Sequence, residues 1–293
     1  MSRLLKDNLE LHFIVLLWGF TAVIGVLISL PPISVVFFRT LLAFMVLGLL
    51  LILLKENFQV EKKDLFKMIG VGFIFSIHWI LFFLSARVSN VSICLSGLAT
   101  AALWTSLVEP VVGRRRIRLM EIVLSLIAIT GISIIFGVEI DRYLGLTLAI
   151  VSAFLYAVFS VINKHLVVRY SHFVIMFYEM LGAFIATTLY LPIYTVYMDE
   201  SISLVPREND WFFLLILSVV CTVYTFSTSV KLMKRLSAFA LNLTTNLEPV
   251  YGIVLALLIL GQSEHMQFGF YLGAGLIVLS VAIYPLWLKS TRN

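Results

Sequence analysis

The chain has 293 residues, of which 61% are apolar and only 13% are charged, and its mean hydropathy is +1.06. A soluble domain carries about 25% charged and about 45–50% apolar residues, so the composition excludes an ordinary water-soluble protein and predicts one dissolved in lipid. The formal net charge of +5 does not indicate nucleic-acid binding, because the basic residues lie in short loops between apolar stretches rather than in one patch.

Apolar runs along the chain predict ten transmembrane helices. A hydrocarbon core about 30 Å thick requires about 20 residues per helix and offers no water to backbone groups. Residues 1–10 mix basic and acidic side chains, and no small-residue cleavage site follows the first run, so we expect an uncleaved first span rather than a signal peptide. The predicted spans are residues 11–30, 33–54, 65–86, 91–112, 118–137, 143–164, 171–194, 211–231, 238–260 and 267–288.

The basic residues are distributed unequally between the two sides of this predicted bundle. If the chain starts inside, the inner loops and termini hold 17 of the 21 Lys and Arg residues, the outer loops hold 3, and Arg39 lies within a span. This excess predicts a multi-pass protein of the inner cell membrane with both termini cytoplasmic. The outer residues are Arg87, Arg142 and Arg207, whereas the inner set runs from Arg3 and Lys6 through the cluster at 114–118 to Lys289 and Arg292.

An internal repeat relates the two halves of the chain. A shift of 140 residues overlays 38–44 on 178–184 and pairs Arg39 with Glu179, and a shift of 148 residues overlays 87–89 on 235–237. These overlays match helix two with seven and helix three with eight. Because each half contains five helices, an odd number, the second half enters the bilayer in the opposite orientation. We therefore expect two inverted five-helix repeats, residues 1–139 and 140–293, around a central cavity.

Four short motifs lie in or next to the predicted helices. They are Trp18-Gly19-Phe20 in helix one, Arg39 in helix two after Pro31-Pro32, Glu248-Pro249 in helix nine, and Gly261-Gln262-Ser263-Glu264 followed by Gly273. With the ten spans and the duplication, they resemble the EamA-type branch of the drug/metabolite transporter superfamily over essentially the whole chain. The resemblance implies a ten-helix carrier for amino acids, sugars, nucleotide-sugars, phosphorylated sugars or amphipathic drugs.

The chain departs from this family pattern in its first half. Arg114-Arg115-Arg116 follows Gly113, where the family usually has Gly-Glu, and Ala101 replaces the proline of helix four. A proline-based kink is therefore not predicted at this position of helix four.

Glu248 is a carboxylate close to the middle of helix nine, directly before Pro249. A charged side chain at mid-bilayer costs about 2.5–3.5 kcal/mol on insertion scales, so it must be buried against protein or water. We interpret Glu248 as a cavity residue that binds a substrate ammonium group or takes up a proton; the alternative is a buried acid satisfied by neighbouring helices. Asn242, Thr245 and Asn246 on the same helix are further candidate substrate ligands.

Three other charged residues lie within or at the ends of predicted spans. For Arg39 one interpretation is recognition of a substrate carboxylate or phosphate by its guanidinium fork. The interpretation we prefer from the sequence is a structural clamp to a carbonyl or acidic group near the outer surface. Glu179 is expected to be a structural or gating partner for inner cations, and Glu109, near the arginine cluster at 114–118, a salt bridge or inner gate.

Aromatic residues in four helices are candidates for the cavity wall. His78 and Trp79 in helix three offer a titratable group and a stacking face, and Trp18 and Tyr156 begin matching motifs in helices one and six. Trp104 in helix four is added to this set. Each of these side chains also has a packing interpretation, because aromatics are common in helix contacts.

Two further sets of polar residues complete the candidate site. Tyr224 is aligned with Ser227 and Lys231 on helix eight and is a candidate hydrogen-bonding group. Ser96 and Thr100, with Ser92, recur every four residues on helix four, which indicates either a cavity stripe or close packing through small side chains.

The expected function is a secondary carrier that moves a small organic metabolite by alternating access. The mixture of acid, amide, hydroxyl and aromatic groups favours an amino acid or related zwitterionic or amphipathic solute, with export as the expected direction. The alternatives are a nucleotide-sugar or sugar-phosphate carrier and a membrane-embedded enzyme acting on a lipid or prenyl substrate. The enzyme lacks support, because the sequence has no HExxH, Asp-rich pair or Ser/His/Asp set.

The expected partners are the lipid bilayer and a small-molecule substrate, with Glu248 and Glu179 as candidates for proton coupling. No nucleic acid, metal or other cofactor is expected, and no catalytic residue is assigned. Cys94 and Cys221 have neither metal-site nor disulfide spacing and are interpreted as packing residues. The oligomeric state is not predicted.

Overall fold

A computed structural model of the chain describes residues 3–113, 116, 118–138, 140–197, 204–245, 247–248, 251–252, 255 and 267–291. The described residues form helices and no strand. A 3₁₀ turn, Ile140–Arg142, precedes α7, and a π-helical segment, Ile216–Tyr224, joins α9 to α10. The α-helices are α1 (Arg3–Leu27), α2 (Pro32–Leu53), α3 (Lys62–Val88), α4 (Val91–Leu98), α5 (Ala101–Gly113), α6 (Leu119–Val138), α7 (Tyr143–Leu166), α8 (His172–Tyr197), α9 (Glu208–Leu215), α10 (Thr225–Leu232), α11 (Ala238–Thr245) and α12 (Phe268–Thr291).

Seven described segments are long and apolar enough to cross a bilayer, and they confirm an all-helical, multi-pass membrane protein. They coincide with seven of the ten predicted spans. They are Lys6–Leu27, Pro32–Leu53, Lys62–Val88, Val91–Gly113, Tyr143–Leu166, His172–Val196 and Glu208–Leu232.

The other three predicted spans are represented by shorter apolar stretches or lie partly outside the described residues. Leu119–Ile134 falls in the predicted span 118–137, and Phe268–Ser280 falls in 267–288. Of the predicted span 238–260, the structure describes α11 and a few residues after it, which include Glu248.

Predicted helix four is interrupted although it has no proline at the interruption. α4 ends at Leu98, and α5 begins at Ala101. The Thr100 hydroxyl donates to the carbonyl oxygen of Gly97 at 2.8 Å. Such side-chain bonding to the preceding turn bends helices, so a threonine takes part in the break where the family has a proline. Ser96 and Thr100 consequently do not lie on one continuous helix.

α3 packs against both α7 and α8, and α2 packs against α8. Glycines allow the closest approach, because a Cβ atom at Gly72 of α3 would lie 2.3 Å from the carbonyl oxygen of Glu179 on α8. A Cβ atom at Gly182 of α8 would likewise lie 2.4 Å from the carbonyl oxygen of Ile69. Backbone-to-backbone contact through small residues is how helices gain packing energy in lipid, where the solvent is as apolar as the side chains.

Hydrogen bonds and ion pairs hold α1 to neighbouring segments at both of its ends. At the end where it begins, Asp7 accepts hydrogen bonds from Arg235 at 2.6 and 2.5 Å, and Glu10 pairs with Lys231 at 3.0 Å. This end of the bundle, which carries Lys164, Lys231 and Arg235, is called the basic face below. The Asp7 carboxylate also raises the pKa of Arg235 above its ordinary value, so the pair stays charged at every physiological pH.

At the opposite face the last turn of α1 is held by two other helices. Arg87, near the end of α3, donates from Nη2 to the carbonyl oxygens of Gly25 and Ile28 at 3.2 and 2.9 Å. Asp210, in the first turn of α9, accepts from the Ser29 hydroxyl at 2.6 Å and from the Ser29 amide at 2.8 Å. A cation at the carbonyl end of a helix and an acid at an amide end both complement the helix dipole.

Replacing Gly72 by alanine is expected to destabilise the bundle by about 1–3 kcal/mol, because the new Cβ atom forces α3 and α8 apart. The matched control is Gly70→Ala on the same helix, where no atom lies within 4 Å of the new Cβ. The melting temperature and monodisperse yield of the purified protein measure both effects. Equal melting temperatures for the two variants contradict the close contact.

Candidate functional site

A small cavity lies between α1, α2, α3, α4, α7 and α10. Its volume is about 30 Å³, enough for one or two waters. The wall combines two charged side chains with aromatic and aliphatic ones. The lining residues are Trp18, Thr21, Arg39, His78, Trp79, Phe82, Leu98, Tyr156, Phe226 and Glu248.

Arg39 contributes the positive charge of this wall and is completely buried. Its Nε donates to the Thr222 hydroxyl at 2.7 Å, and its Nη2 donates to the carbonyl oxygen of Cys221 at 3.0 Å. The guanidinium carbon lies 4.0 Å from the centre of the Trp79 ring, a cation–π distance. Arg39 is thus held by one carbonyl group, one hydroxyl group and one aromatic face.

The π-helical segment supplies both polar partners of Arg39. Within it the Thr222 hydroxyl donates to the carbonyl oxygen of Leu217, five residues earlier, at 2.7 Å, which leaves its oxygen to accept from Arg39. A π-helical turn shifts the backbone hydrogen-bond pattern and changes which carbonyl groups are available, and such turns occur frequently at functional sites.

Glu248 contributes the negative charge of the wall and is 4% exposed. It interacts electrostatically with Arg39 across the cavity. Two opposite charges in one low-dielectric space stabilise each other, and removing either leaves the other uncompensated. Pro249, which follows Glu248 in the sequence, lies outside the described residues.

His78 joins α3 to α7 on another side of the cavity. Its Nδ1 lies 2.8 Å from the carbonyl oxygen of Ser152, so Nδ1 carries a proton and donates it. The Ser152 hydroxyl in turn donates to the carbonyl oxygen of His78 at 2.9 Å. The imidazole stacks on the Tyr156 ring at 5.7 Å between centres.

Aromatic rings form the remaining wall. The ring centre of Trp18 lies 4.9 Å from that of Phe226 and 6.4 Å from that of Tyr156, to which it is edge-on. The ring centre of Trp79 lies 5.5 Å from that of Phe226, also edge-on. Such tilted and edge-to-face pairs fix ring orientations and present π faces to a ligand.

The structure therefore brings six of the sequence-predicted residues to one cavity, from five different segments of the chain. They are Trp18, Arg39, His78, Trp79, Tyr156 and Glu248.

Two candidates from α11 lie next to this wall rather than in it. Asn242 donates from Nδ2 to the Thr105 hydroxyl of α5 at 2.7 Å. The Thr245 hydroxyl lies 3.4 Å from the Tyr156 hydroxyl and donates to the carbonyl oxygen of Leu241 at 3.0 Å. Both residues connect α11 to neighbouring helices, and Asn246 lies outside the described residues.

Four candidates lie away from the central cavity. Tyr224 is 41% exposed and lines a separate lateral pocket of about 440 Å³ together with Glu10, His172 and Lys231. Trp104 packs edge-on against Phe154 of α7 at 5.4 Å. Ser96 faces a small void against α12, and the Thr100 hydroxyl is engaged by its own helix turn.

The two acidic gating candidates take part in different helix contacts. Glu179 on α8 is fully buried and accepts from Asn163 of α7 at 3.2 Å. Glu109 of α5 accepts from the amide of Phe239 at 3.2 Å, at the start of α11. Nearby, Lys164 donates to the carbonyl oxygens of Met233 and Leu236 at 2.5 and 2.7 Å. Glu109 and Lys164 thus anchor the connection between α10 and α11 on the basic face.

Several cavity residues were not predicted from the sequence. Thr21 follows Trp18 by three positions, so helical spacing on α1 could have revealed it. Phe82 similarly lies one turn beyond His78 on α3. No sequence signal identifies Phe226 or Leu98 among so many apolar residues.

Part of the sequence, and the fold as a whole, are similar to those of known proteins. Residues 143–284 match the model of the EamA-like transporter family. A solved structure, titled "Crystal structure of protein", superposes with a TM-score of 0.72 over 98% of this chain and 99% of its own length. At 16% identity this similarity shows the fold alone. The comparison with curated proteins gives no match.

Replacing Thr222 by valine is expected to destabilise the protein by about 1–3 kcal/mol, because Arg39 Nε then loses its acceptor inside the bundle. Thr225→Val is the matched control, since its buried hydroxyl has no hydrogen-bond partner among the described residues and its loss costs little. Thermal unfolding of the purified variants measures the difference. A stability loss at position 225 equal to that at 222 argues against the Arg39 contact.

Proposed function

We propose that this chain, whose residues 143–284 match the model of the EamA-like transporter family, is a secondary carrier for a small organic metabolite. The carrier works by alternating access in the inner cell membrane, and its solute is an amino acid or related zwitterion that it exports. The observation that carries this proposal is the buried cavity with Arg39 and Glu248 in one wall. The family match favours transport over a membrane enzyme acting on a lipid or prenyl substrate.

The proposed architecture is ten transmembrane helices in two inverted five-helix repeats, residues 1–139 and 140–293, with both termini cytoplasmic. The contacts of Arg87 and Arg235, which the repeat superimposes, support it. Arg87 binds the last turn of α1 at one face, and Arg235 binds Asp7 at the other face. Equivalent positions of the two halves thus lie at opposite faces of the bundle, which supports an inverted repeat.

Opening of the cavity has a specific cost at each face. Opening toward the basic face separates α1 from α10 and its following turn, and so breaks the Asp7–Arg235 and Glu10–Lys231 pairs. Opening toward the other face releases Ser29 from Asp210 and Arg87 from the α1 carbonyl groups. With both sets formed the cavity has room for only one or two waters. In the proposed cycle this arrangement is the closed state between the two open ones.

Glu248 is the group proposed to bind the solute ammonium and, as a carboxylate in a closed space, to couple transport to protons. Its charge is balanced by Arg39 alone among the cavity-lining cations, so uptake of a positive group or a proton changes the local balance directly. Glu179, the second candidate for coupling, lies between α7 and α8 with Asn163 as its partner.

We expect Glu248→Gln to lower transport by at least about tenfold and to abolish its pH dependence, because the neutral amide neither titrates nor pairs with an ammonium group. Uptake and counterflow of labelled solutes into sealed vesicles containing only this protein measure it. Glu61→Gln is the control, since Glu61 lies exposed on the basic face. Unchanged rate and unchanged pH dependence in Glu248→Gln reject the proposed role.

A further inference from the structure

Two buried N–H groups in the cavity wall have no hydrogen-bond partner within the described part of the chain. They are Nη1 of Arg39 and Nε1 of Trp18, on side chains that are 0% and 4% exposed. A buried N–H group without a partner costs about 1–3 kcal/mol, and such groups in native proteins are explained by water or by a ligand. Both side chains line the same cavity, so one ligand can satisfy both.

The remaining contacts of Arg39 fix the direction of its free donor. Nε and Nη2 donate to Thr222 and Cys221, respectively. The Trp79 ring covers one face of the guanidinium group, with its centre 4.0 Å from the guanidinium carbon. A guanidinium group held at three points presents its last nitrogen without further loss of side-chain freedom. The structure thus contains a preorganised cationic donor with the indole N–H of Trp18 in the same wall.

The charge of the cavity limits the class of anion. The formal charges of Arg39 and Glu248 sum to zero, and the lining residues include no lysine and no second arginine. A doubly charged phosphate or a nucleotide diphosphate therefore brings uncompensated negative charge beside Glu248. A molecule with one carboxylate and one ammonium group leaves the total at zero and matches both ends.

Resting on the carrier function proposed above, we propose that Arg39 Nη1 and Trp18 Nε1 form the subsite for the carboxylate of a zwitterionic solute. Glu248 takes the ammonium group, and the rings of Trp18 and Tyr156 cover the carbon skeleton between them. Arg39 is then a specificity-determining residue as well as a helix connector. Arg39 is already held by Thr222, Cys221 and Trp79 before a solute enters, which reduces the entropy lost on binding.

The test uses analogues that each lack one charge. Alanine, alaninamide and propionate, and the corresponding series of phenylalanine, phenylalaninamide and 3-phenylpropionate, are titrated against the purified full-length protein, with the melting temperature as the measure of binding. In the wild type we expect a zwitterion to bind more tightly than either single-charge analogue of its series.

Trp18→Phe keeps an aromatic ring and removes the N–H group. It is expected to weaken the binding of the zwitterion and the acid about tenfold, and to leave the affinity for the amide within about twofold of the wild-type value. Trp104→Phe is a matched control, since Trp104 also has a buried Nε1 without a partner among the described residues but lies outside the cavity. Arg39→Lys should likewise weaken the binding of the zwitterion and the acid more than that of the amide. If Arg39→Lys does not fold, the result for Trp18→Phe alone tests the subsite.

Equal weakening of the acid and the amide by Trp18→Phe, or no weakening of either, overturns the subsite. Absence of any zwitterion binding to the wild type overturns it as well. The carrier function is tested separately by counterflow in vesicles, with a nucleotide-sugar and a phosphorylated sugar beside the zwitterions. If only a phosphorylated solute is transported, the carrier function is confirmed and the carboxylate subsite is wrong. If no solute is transported, the carrier function is wrong.

Discussion

The buried charge of Arg39 is the constraint on which the centre of this molecule depends. A guanidinium group without contact to water requires acceptors from the protein, and neighbouring helices have already used their carbonyl groups in their own backbone bonds. The π-helical segment relieves this shortage, because it provides the carbonyl group of Cys221 and the hydroxyl group of Thr222. Trp79 and Glu248 supply the rest, so residues from three other segments are arranged around this one side chain.

The same arrangement joins stability to function. Nη1 of Arg39 has no hydrogen-bond partner among the described residues, and it shares the cavity wall with Glu248 and the indole of Trp18. In the proposed carrier, a bound carboxylate satisfies this nitrogen, so the free energy that the empty site lacks contributes to binding. The two charge pairs at the start of α1 are partly exposed, so they can break and re-form at modest cost, unlike the contacts inside.

The helical class and seven spans follow from hydropathy, because backbone groups in lipid can be satisfied only within helices or closed barrels. Charged and aromatic residues in the spans also pointed to the cavity, since their burial requires a polar environment. Other features depend on packing that no local pattern encodes. The sequence of the π-helical segment resembles an ordinary apolar helix. The break after Leu98 involves Thr100, which precedes Ala101, the residue that replaces the family's proline. Tyr224 satisfies helical spacing and yet faces a lateral pocket.

In the proposed carrier, one closed chamber that holds opposite charges opens in turn to either side of the membrane. A single cysteine introduced at the cavity position Leu98, with Cys94 and Cys221 replaced by serine, reports on this directly through a membrane-impermeant maleimide added to one side of sealed vesicles. We expect labelling from each side in separate experiments on the same preparation, with protection by a bound solute. Labelling from neither side, or from one side under all conditions, would contradict it.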